Sequence, residues 1–186
     1  MRALKGIRKG DKQKLKINLL IAFSWLMAVA NRFHINSEKE VWRRFPYHCR
    51  YCGKAPCACG KNKSQIMSKL SKDKFKKPRN LGEMQVMFET IYPSGRRNLS
   101  EAGVHLAEEM GELSETVHRF LGEHKEKLFR GVGVEIADYI SCLFGVANSA
   151  SINVSRELEK MYWKNCHVCH KLPCLCNFSF VGKYKS

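Results

Sequence analysis

An internal repeat constrains the fold of this chain more than any other feature of its sequence. Residues 29–59 align without a gap on residues 146–176 after a shift of 117 positions. The first copy shares these residues with the second: Val29, Ala30, Asn31, Ile35, Asn36, Glu40, Cys49, Cys52, Lys54, Pro56, Cys57 and Cys59, which match Val146, Ala147, Asn148, Ile152, Asn153, Glu157, Cys166, Cys169, Lys171, Pro173, Cys174 and Cys176. The repeat predicts two copies of one supersecondary unit.

The predicted fold class is all-α, a helical bundle. The 186 residues include only 5 prolines, 44% are hydrophobic, and helical periodicity dominates the apolar runs. Helices are expected over residues 37–44, 83–92 and 155–164, with Asn36 or Ser37 and Asn153 or Ser155 as N-caps. The helix over residues 83–92 has Met84, Met87, Phe88 and Ile91 on one side. A further helix is expected after Ser100, its predicted N-cap, with an apolar stripe at Leu106, Met110, Leu113, Val117 and Phe120.

The amino-terminal segment has the sequence pattern of a secretory signal peptide. Basic residues between Arg2 and Lys16 precede an apolar run, residues 17–30, that ends in an Ala-x-Ala pattern. The run is short for a membrane span. It also aligns with the apolar helix of the second copy, so the repeat favours a buried core helix. A cytoplasmic protein is therefore expected.

Two cysteine clusters of identical spacing, C-x2-C-x4-C-x-C, end the two copies. Four thiols in so short a loop can surround one tetrahedral ion, and structural Zn²⁺ fits best. The alternatives are disulfides, which need an oxidising compartment, and an iron–sulfur cluster. Cys142, inside a predicted helix, is interpreted as a core thiol. The predicted zinc ligands are Cys49, Cys52, Cys57 and Cys59 in the first loop and Cys166, Cys169, Cys174 and Cys176 in the second.

Carboxylates concentrate in residues 101–148, although the chain has a formal net charge of +16. Glu109 and Glu112 lie beside the apolar stripe of one predicted helix, and Glu135 and Asp138 lie on a helix that is apolar nearly all round. Buried carboxylates need a compensating charge, and hard divalent cations prefer oxygen ligands. A metal site is predicted, and solvated acids with a buried ion pair are the alternative. The first copy has Asn18 and Ile21 at the positions of Glu135 and Asp138, so it is expected to be scaffold. Asn148 could contact a nucleotide, but Asn31 holds the same place in the copy without acids, which favours a C-cap or left-handed residue at the helix end.

The two acidic pairs and their surroundings resemble a known family. Glu109-Met-Gly-Glu112, followed by Glu135-Ile-Ala-Asp138, resembles the ExxE…ExxD signature of the MazG-like all-α nucleoside triphosphate pyrophosphohydrolases. The resemblance covers roughly residues 81–165. It implies that Mg²⁺ or Mn²⁺ binds to these four acids. It also implies hydrolysis of a nucleoside or deoxynucleoside triphosphate between the α and β phosphates, with Glu109 or Glu112 as the general base.

Residues 122–133 are expected to form a loop or broken helix. Its Lys125, Lys127 and Arg130 are candidate phosphate ligands, with ordinary solvated charge as the alternative. The expected divisions are residues 1–60 as a degenerate first repeat, 61–80 as a basic linker, 81–165 as catalytic helices, and 166–186 as the second cysteine loop and tail. A homodimer is expected, with weak nucleic-acid contact through the basic arm and no membrane contact. The competing function is a zinc-containing nucleic-acid-binding module without turnover, because the basic arm and linker could contact phosphates.

Overall fold

The computed structural model describes residues 9–59 and 75–177, which form helices and no strand. Six α-helices occur there, with a single 3-10 turn at Ser94–Arg96. They are α1 (Lys9–Arg32), α2 (Ser37–Arg44), α3 (Leu81–Ile91), α4 (Leu99–Glu123), α5 (Glu126–Ser149) and α6 (Val154–Tyr162). The predicted all-α class is confirmed for this part of the chain. The basic arm before Lys9, most of the predicted linker and the tail after Asn177 lie outside the described residues.

Asparagine side chains define where four of the helices begin. Asn36, Asn80, Asn98 and Asn153 each accept a hydrogen bond from the backbone N–H three residues later. Such caps satisfy donors that have no partner inside the helix. Asn98 forms a full capping box with Glu101, so the prediction of Ser100 as the N-cap of α4 is wrong.

Helix α5 lies at the centre of the core. It contacts α1, α2, α3 and α4, and its residues Val132, Ile136, Leu143 and Phe144 are almost fully buried. The Phe144 ring stacks on Phe88 of α3 at 5.6 Å and meets Phe23 of α1 edge-on at 6.0 Å. The predicted burial of this helix is confirmed.

Residues of the two copies are interleaved. The long helix of the second copy, α5, packs on the short helix of the first, α2, and the long helix α1 packs on the short helix α6. Helices α1 and α5 end 117 positions apart, at Arg32 and Ser149. The left-handed residue that follows each long helix also recurs at this interval, as His34 and Ser151, both with φ of 54°.

A tight turn joins the acidic helix to the central one. Helix α4 ends at Glu123, His124 adopts a left-handed conformation, and α5 begins at Glu126. Residues 122–133, predicted as a loop or broken helix, are therefore mostly helical. The turn makes α4 and α5 an antiparallel hairpin in which α4 packs chiefly against α5. Met110, predicted on the buried stripe of α4, is 55% exposed, and Leu113 is the residue of that stripe that is buried.

Asn148 does not have the backbone conformation predicted for it. It lies in the last turn of α5 and not in the left-handed region, although its carbonyl accepts the Ser151 N–H at 3.1 Å. Its side chain accepts a hydrogen bond from Gln85 of α3 at 2.8 Å. Gln85 also accepts the Val154 N–H at 3.0 Å, so this side chain joins α3, α5 and the start of α6.

Helix α1 is buried along one face only. Leu19, Leu20, Phe23 and Leu26 are buried, whereas Trp25 is 49% exposed. Within the described residues one segment, residues 10–32, has the length and mean hydropathy of a membrane span, and 28% of its most apolar window is buried. The Lys16 ammonium lies 2.7 Å from the Glu157 carboxylate, and Tyr162 donates to the Ser24 hydroxyl at 2.7 Å. These bonds join α1 to α6.

Candidate active site and metal centres

Three of the four predicted acids form one cluster. Glu109 of α4 and Glu135 and Asp138 of α5 each place a carboxylate oxygen within 4.8 Å of the other two. The antiparallel hairpin brings them together, because Glu109 faces α5 from the edge of the apolar stripe. Glu112 is exposed and lies outside this group, although its charge raises the pKa of both Glu109 and Glu135.

Two arginines from the first copy hold Asp138. Arg44, the last residue of α2, donates from Nε and Nη2 to the two oxygens of the Asp138 carboxylate. Arg50, between the first two cysteines of the first loop, donates from Nη1 to Asp138 Oδ2 at 2.8 Å. The buried ion pair considered as an alternative to a metal site is therefore present, but it engages only one of the acids.

Glu109 and Glu135 lack such partners. One buried oxygen of each, Oε2, has no hydrogen-bond partner among the described residues. Burial, reinforced by the negative charge of Asp138, raises the pKa of Glu109 to about 7 and that of Glu135 to about 7. An unpaired carboxylate in such surroundings either binds a proton or needs a cation. The arginines thus neutralise one of the three carboxylates, and the other two have the donor chemistry of a divalent-cation site.

A cavity of about 170 Å³ opens beside this cluster. Its polar lining includes Glu109, Asp138, Arg50, Arg97 and His105. The Arg97 guanidinium donates to the Tyr92 carbonyl at 2.9 Å and passes over Gly145, where an added Cβ would lie 2.9 Å from Nη1. Pockets for whole drug-sized ligands usually exceed about 300 Å³. This cavity therefore has room for a phosphate chain, and a nucleoside would extend beyond it.

The basic residues predicted to bind phosphate lie elsewhere. Lys125 pairs with Glu123 at 2.6 Å, and Arg130 approaches Glu126 at 3.3 Å. Both side chains are exposed, as is Lys127, and none of the three lines the cavity. The arginines at the cavity are Arg50 and Arg97, which sequence reasoning missed. A comparison of the copies could have indicated Arg50 and Arg44, because the second copy has His167 and Met161 at their positions.

Each predicted cysteine cluster brings its four thiols together. All four sulfurs in each loop lie within 4.8 Å of one another, and neighbouring Sγ atoms are 3.5–3.9 Å apart. Four ligands at about 2.3 Å from a tetrahedral Zn²⁺ would lie about 3.8 Å from each other. All nine cysteines are unbridged in the structure. Each loop can therefore hold one zinc ion.

Backbone donors favour a thiolate at some cysteines of each loop, whereas burial raises the pKa of Cys57, Cys59 and Cys176, and hydrogen bonds with neighbouring thiols raise that of Cys174. The N–H groups of Leu175 and Lys171 lower the pKa of Cys169 to about 6. At Cys52 burial acts in the opposite direction, but the N–H groups of Ala58 and Lys54 prevail and lower its pKa to about 6. Metal-binding thiols must lose their proton, so these donors favour metal binding. Cys142, in contrast, has its pKa raised to about 12 by burial, as expected for a core thiol.

Comparison of the chain with protein-family models, with curated proteins and with solved structures finds no match.

Proposed function

We propose that this protein is a divalent-cation-dependent nucleoside triphosphate pyrophosphohydrolase of the MazG-like type, a hydrolase acting on phosphoric anhydrides. The observation that carries the proposal is the pair of buried, unpartnered carboxylate oxygens on Glu109 and Glu135, beside a cavity lined by arginines. The ion pair with Arg44 and Arg50 accounts for Asp138 and leaves these two oxygens without a counterion.

Glu109, Glu135 and Asp138 would hold Mg²⁺ or Mn²⁺, with Glu112 reaching the site by a change of rotamer. When bound, the cation neutralises phosphate charge and makes the attacking water more acidic. Asp138 can accept the arginine hydrogen bonds and still act as a ligand, because each carboxylate oxygen has two lone pairs. Arg44 and Arg50 then fix its orientation.

Glu109 is the better candidate for the general base. Its side chain lines the cavity, whereas Glu112 is exposed, and a Glu109 oxygen that does not ligate the cation could accept a proton there. It would accept the proton of the water that attacks the α-phosphorus. The P–O bond to the bridging oxygen then breaks, and pyrophosphate leaves with the charge on that oxygen.

Arg50 and Arg97 would bind the leaving pyrophosphate, since guanidinium groups donate two parallel hydrogen bonds to phosphate oxygens. This assignment replaces Lys125, Lys127 and Arg130, which lie away from the cavity. The cysteine loops would carry structural Zn²⁺, which is consistent with a reducing, cytoplasmic location.

We also propose a homodimer formed through α4. Exposed or half-exposed residues recur on this helix at alternating intervals of four and three: Gly103, Ala107, Met110, Ser114, Val117 and Leu121. This is the spacing of a helix–helix seam. Met110→Glu should reduce the mass measured by light scattering to that of one chain, whereas the equally exposed Glu108→Gln should not. A monomeric wild-type protein would reject the seam.

The test of the activity is pyrophosphate release from a panel of ribo- and deoxyribonucleoside triphosphates with Mg²⁺. Glu109→Gln and Glu135→Gln should each lower kcat at least about 100-fold, as expected for loss of a base or of charge stabilisation. Glu115→Gln, at an exposed acid of α4 that does not line the cavity, is the matched control and should keep wild-type kcat. Equal release from all three variants and the wild type would reject the site.

Release by none of the proteins, together with salt-dependent binding of single- or double-stranded nucleic acid, would favour the competing binding module.

A further inference from the structure

The two cysteine loops border equivalent regions of the molecule. Cys49, Cys57 and Cys59 line the carboxylate cavity, and Cys166, Cys174 and Cys176 line a groove of about 670 Å³ beside α1 and α6. The second set is the first shifted by 117 positions. The loop geometry also repeats: the Gly53 N–H donates to the Cys49 carbonyl at 2.9 Å, and the His170 N–H donates to the Cys166 carbonyl at 2.8 Å.

Charge distinguishes the two regions. In the first, Arg50 of the loop and Arg44 of α2 bind Asp138 of the long helix. At the same three positions the second has His167, Met161 and Ile21, all of which line or border its groove. The scaffold has been kept in both halves, and the ion-pair network exists in one.

The Arg50 side chain is held by the loop that carries it. Its backbone lies between Cys49 and Cys52, both predicted metal ligands, and its guanidinium lies 4.3 Å from the centre of the Tyr51 ring. The loop is fixed to the core, because the Cys57 N–H donates to the Ile91 carbonyl at 2.8 Å and Arg96 donates to the Cys57 carbonyl at 3.3 Å. A metal bound by these cysteines would therefore fix the position of Arg50 relative to Asp138.

We infer that the first cysteine loop is a wall of the active site, and that its metal holds Arg50 at the carboxylates to bind substrate phosphate, whereas the second loop only stabilises the fold. The inference rests on the proposed function for the identity of the substrate. The coupling between the loop and the carboxylates stands on the contacts alone.

Loss of Arg50 should change two affinities in opposite directions. A cation at the carboxylates would no longer be repelled by the guanidinium, so Mn²⁺ alone should bind roughly threefold to tenfold more tightly. A non-hydrolysable triphosphate analogue would lose a charged phosphate partner and should bind at least about tenfold more weakly. Partial unfolding would weaken both, so the opposite signs separate the proposed role from a structural one.

The experiment uses Mn²⁺ titration followed by electron paramagnetic resonance, analogue binding by calorimetry, and zinc content. Arg50→Ala and the double variant Cys57→Ser/Cys59→Ser should show the same pair of shifts, and Arg50→Lys should partly restore analogue binding. Adding Cys57→Ser/Cys59→Ser to Arg50→Ala should shift neither affinity further than Arg50→Ala does alone, because both changes act through the Arg50 side chain.

The matched controls come from the second loop. Cys174→Ser/Cys176→Ser should lose one zinc per chain, as the first-loop variant does, and should leave the Mn²⁺ affinity within about twofold of wild type, since none of these thiols borders the carboxylates. His167→Ala is the control for Arg50→Ala. Equal shifts from both loops, or weaker Mn²⁺ binding in Arg50→Ala, would overturn the inference. If no protein binds the analogue but the Mn²⁺ affinities shift as stated, the proposed function is overturned. The coupling between the first cysteine loop and the carboxylates would still be supported.

Discussion

The surroundings of α5 and α1 differ although the two helices end at corresponding positions in the two copies. Helix α5 is covered by α2, α3 and α4, and it carries Glu135 and Asp138. Helix α1 has neighbours along one face, and its exposed side presents Ile17 and Trp25 to the groove beside the second cysteine loop. An acidic helix, α4, packs on α5.

The comparison distinguishes residues that serve the fold, which occur in both halves, from charged residues that occur in one half. Both halves keep asparagine-capped short helices and four clustered thiols, so these features serve the fold. Only one half of the described chain keeps a carboxylate on the long helix facing an arginine of the loop. The charged residues are therefore not required by the packing, which strengthens the case that they are functional.

The largest expected effect comes from converting one half into the other. Asp138→Ile removes the carboxylate that pairs with Arg44 and Arg50 and should destabilise the protein by about 2–4 kcal/mol. The two guanidinium groups would then remain largely buried without a counterion. Adding Arg44→Met and Arg50→His, the residues of the other half, should recover most of this loss. Urea unfolding measures both free energies. A triple variant no more stable than the single one would show that the two halves are not interchangeable in packing.

A smaller effect should appear in the pH dependence of stability without divalent cations. Folding raises the pKa of Glu109 and Glu135 to about 7, so the folded state binds more protons than the unfolded state above pH 4.5. The free energy of unfolding should therefore fall as pH rises from about 4.5 to about 7 and then level off. The double variant Glu109→Gln/Glu135→Gln should lack this slope. Its free energy of unfolding at pH 8 should exceed that of the wild type by about 1 kcal/mol, after allowance for solvent screening of half-buried groups.

Added Mn²⁺ provides the control for that slope. It should raise the melting temperature of the wild type at pH 8 more than at pH 5.5, where the carboxylates are protonated, and should not affect the double glutamine variant. A slope that persists in the variant would assign the titration to other groups.

Gly145→Ala should affect binding more than stability. The new Cβ would approach Arg97 Nη1 to 2.9 Å, and the end of this flexible side chain can move away. The corresponding residue in α1 is Ala28, so the helix tolerates alanine at this place. Triphosphate analogue affinity should fall about threefold through the displaced guanidinium, with the free energy of unfolding changed by less than about 1 kcal/mol. Unchanged affinity, measured by calorimetry, would remove Arg97 from the binding site.

The smallest expected effect concerns the link between α1 and α6. Hydrogen bonds from Lys16 and Lys160 lower the pKa of Glu157 to about 2, so its stabilising contribution is present above pH 4.5 and is lost as pH falls towards 2. Glu157→Gln should cost only about 0.5 kcal/mol at neutral pH, because surface pairs are screened. A cost above about 2 kcal/mol by urea unfolding would show that α1 depends on this contact.

Local patterns predicted much of the fold. The apolar residues Met84, Met87, Phe88 and Ile91 of α3 are buried as their spacing indicated, and α2 has the predicted bounds. The helix starts were predicted less accurately, because two nearby polar residues can both be suitable N-caps, as Ser100 and Asn98 are before α4.

The candidate site was only partly predictable because its contacts are remote in sequence. Arg44 and Arg50 reach Asp138 across 94 and 88 positions, a separation at which periodicity gives no information. Glu112 shows the limit of a spacing argument: three residues turn a helix by about 300°, which leaves a difference of about 60° between the two side chains. Glu109 consequently faces the cluster, whereas Glu112 faces solvent.

The most direct test of the carboxylate site is anomalous scattering from crystals grown with Mn²⁺ and a non-hydrolysable nucleoside triphosphate. The account predicts a manganese peak between Glu109, Glu135 and Asp138, triphosphate oxygens beside Arg50 and Arg97, and separate zinc peaks in both cysteine loops. Zinc in both loops with no manganese among these carboxylates, and no density for the triphosphate, would contradict it.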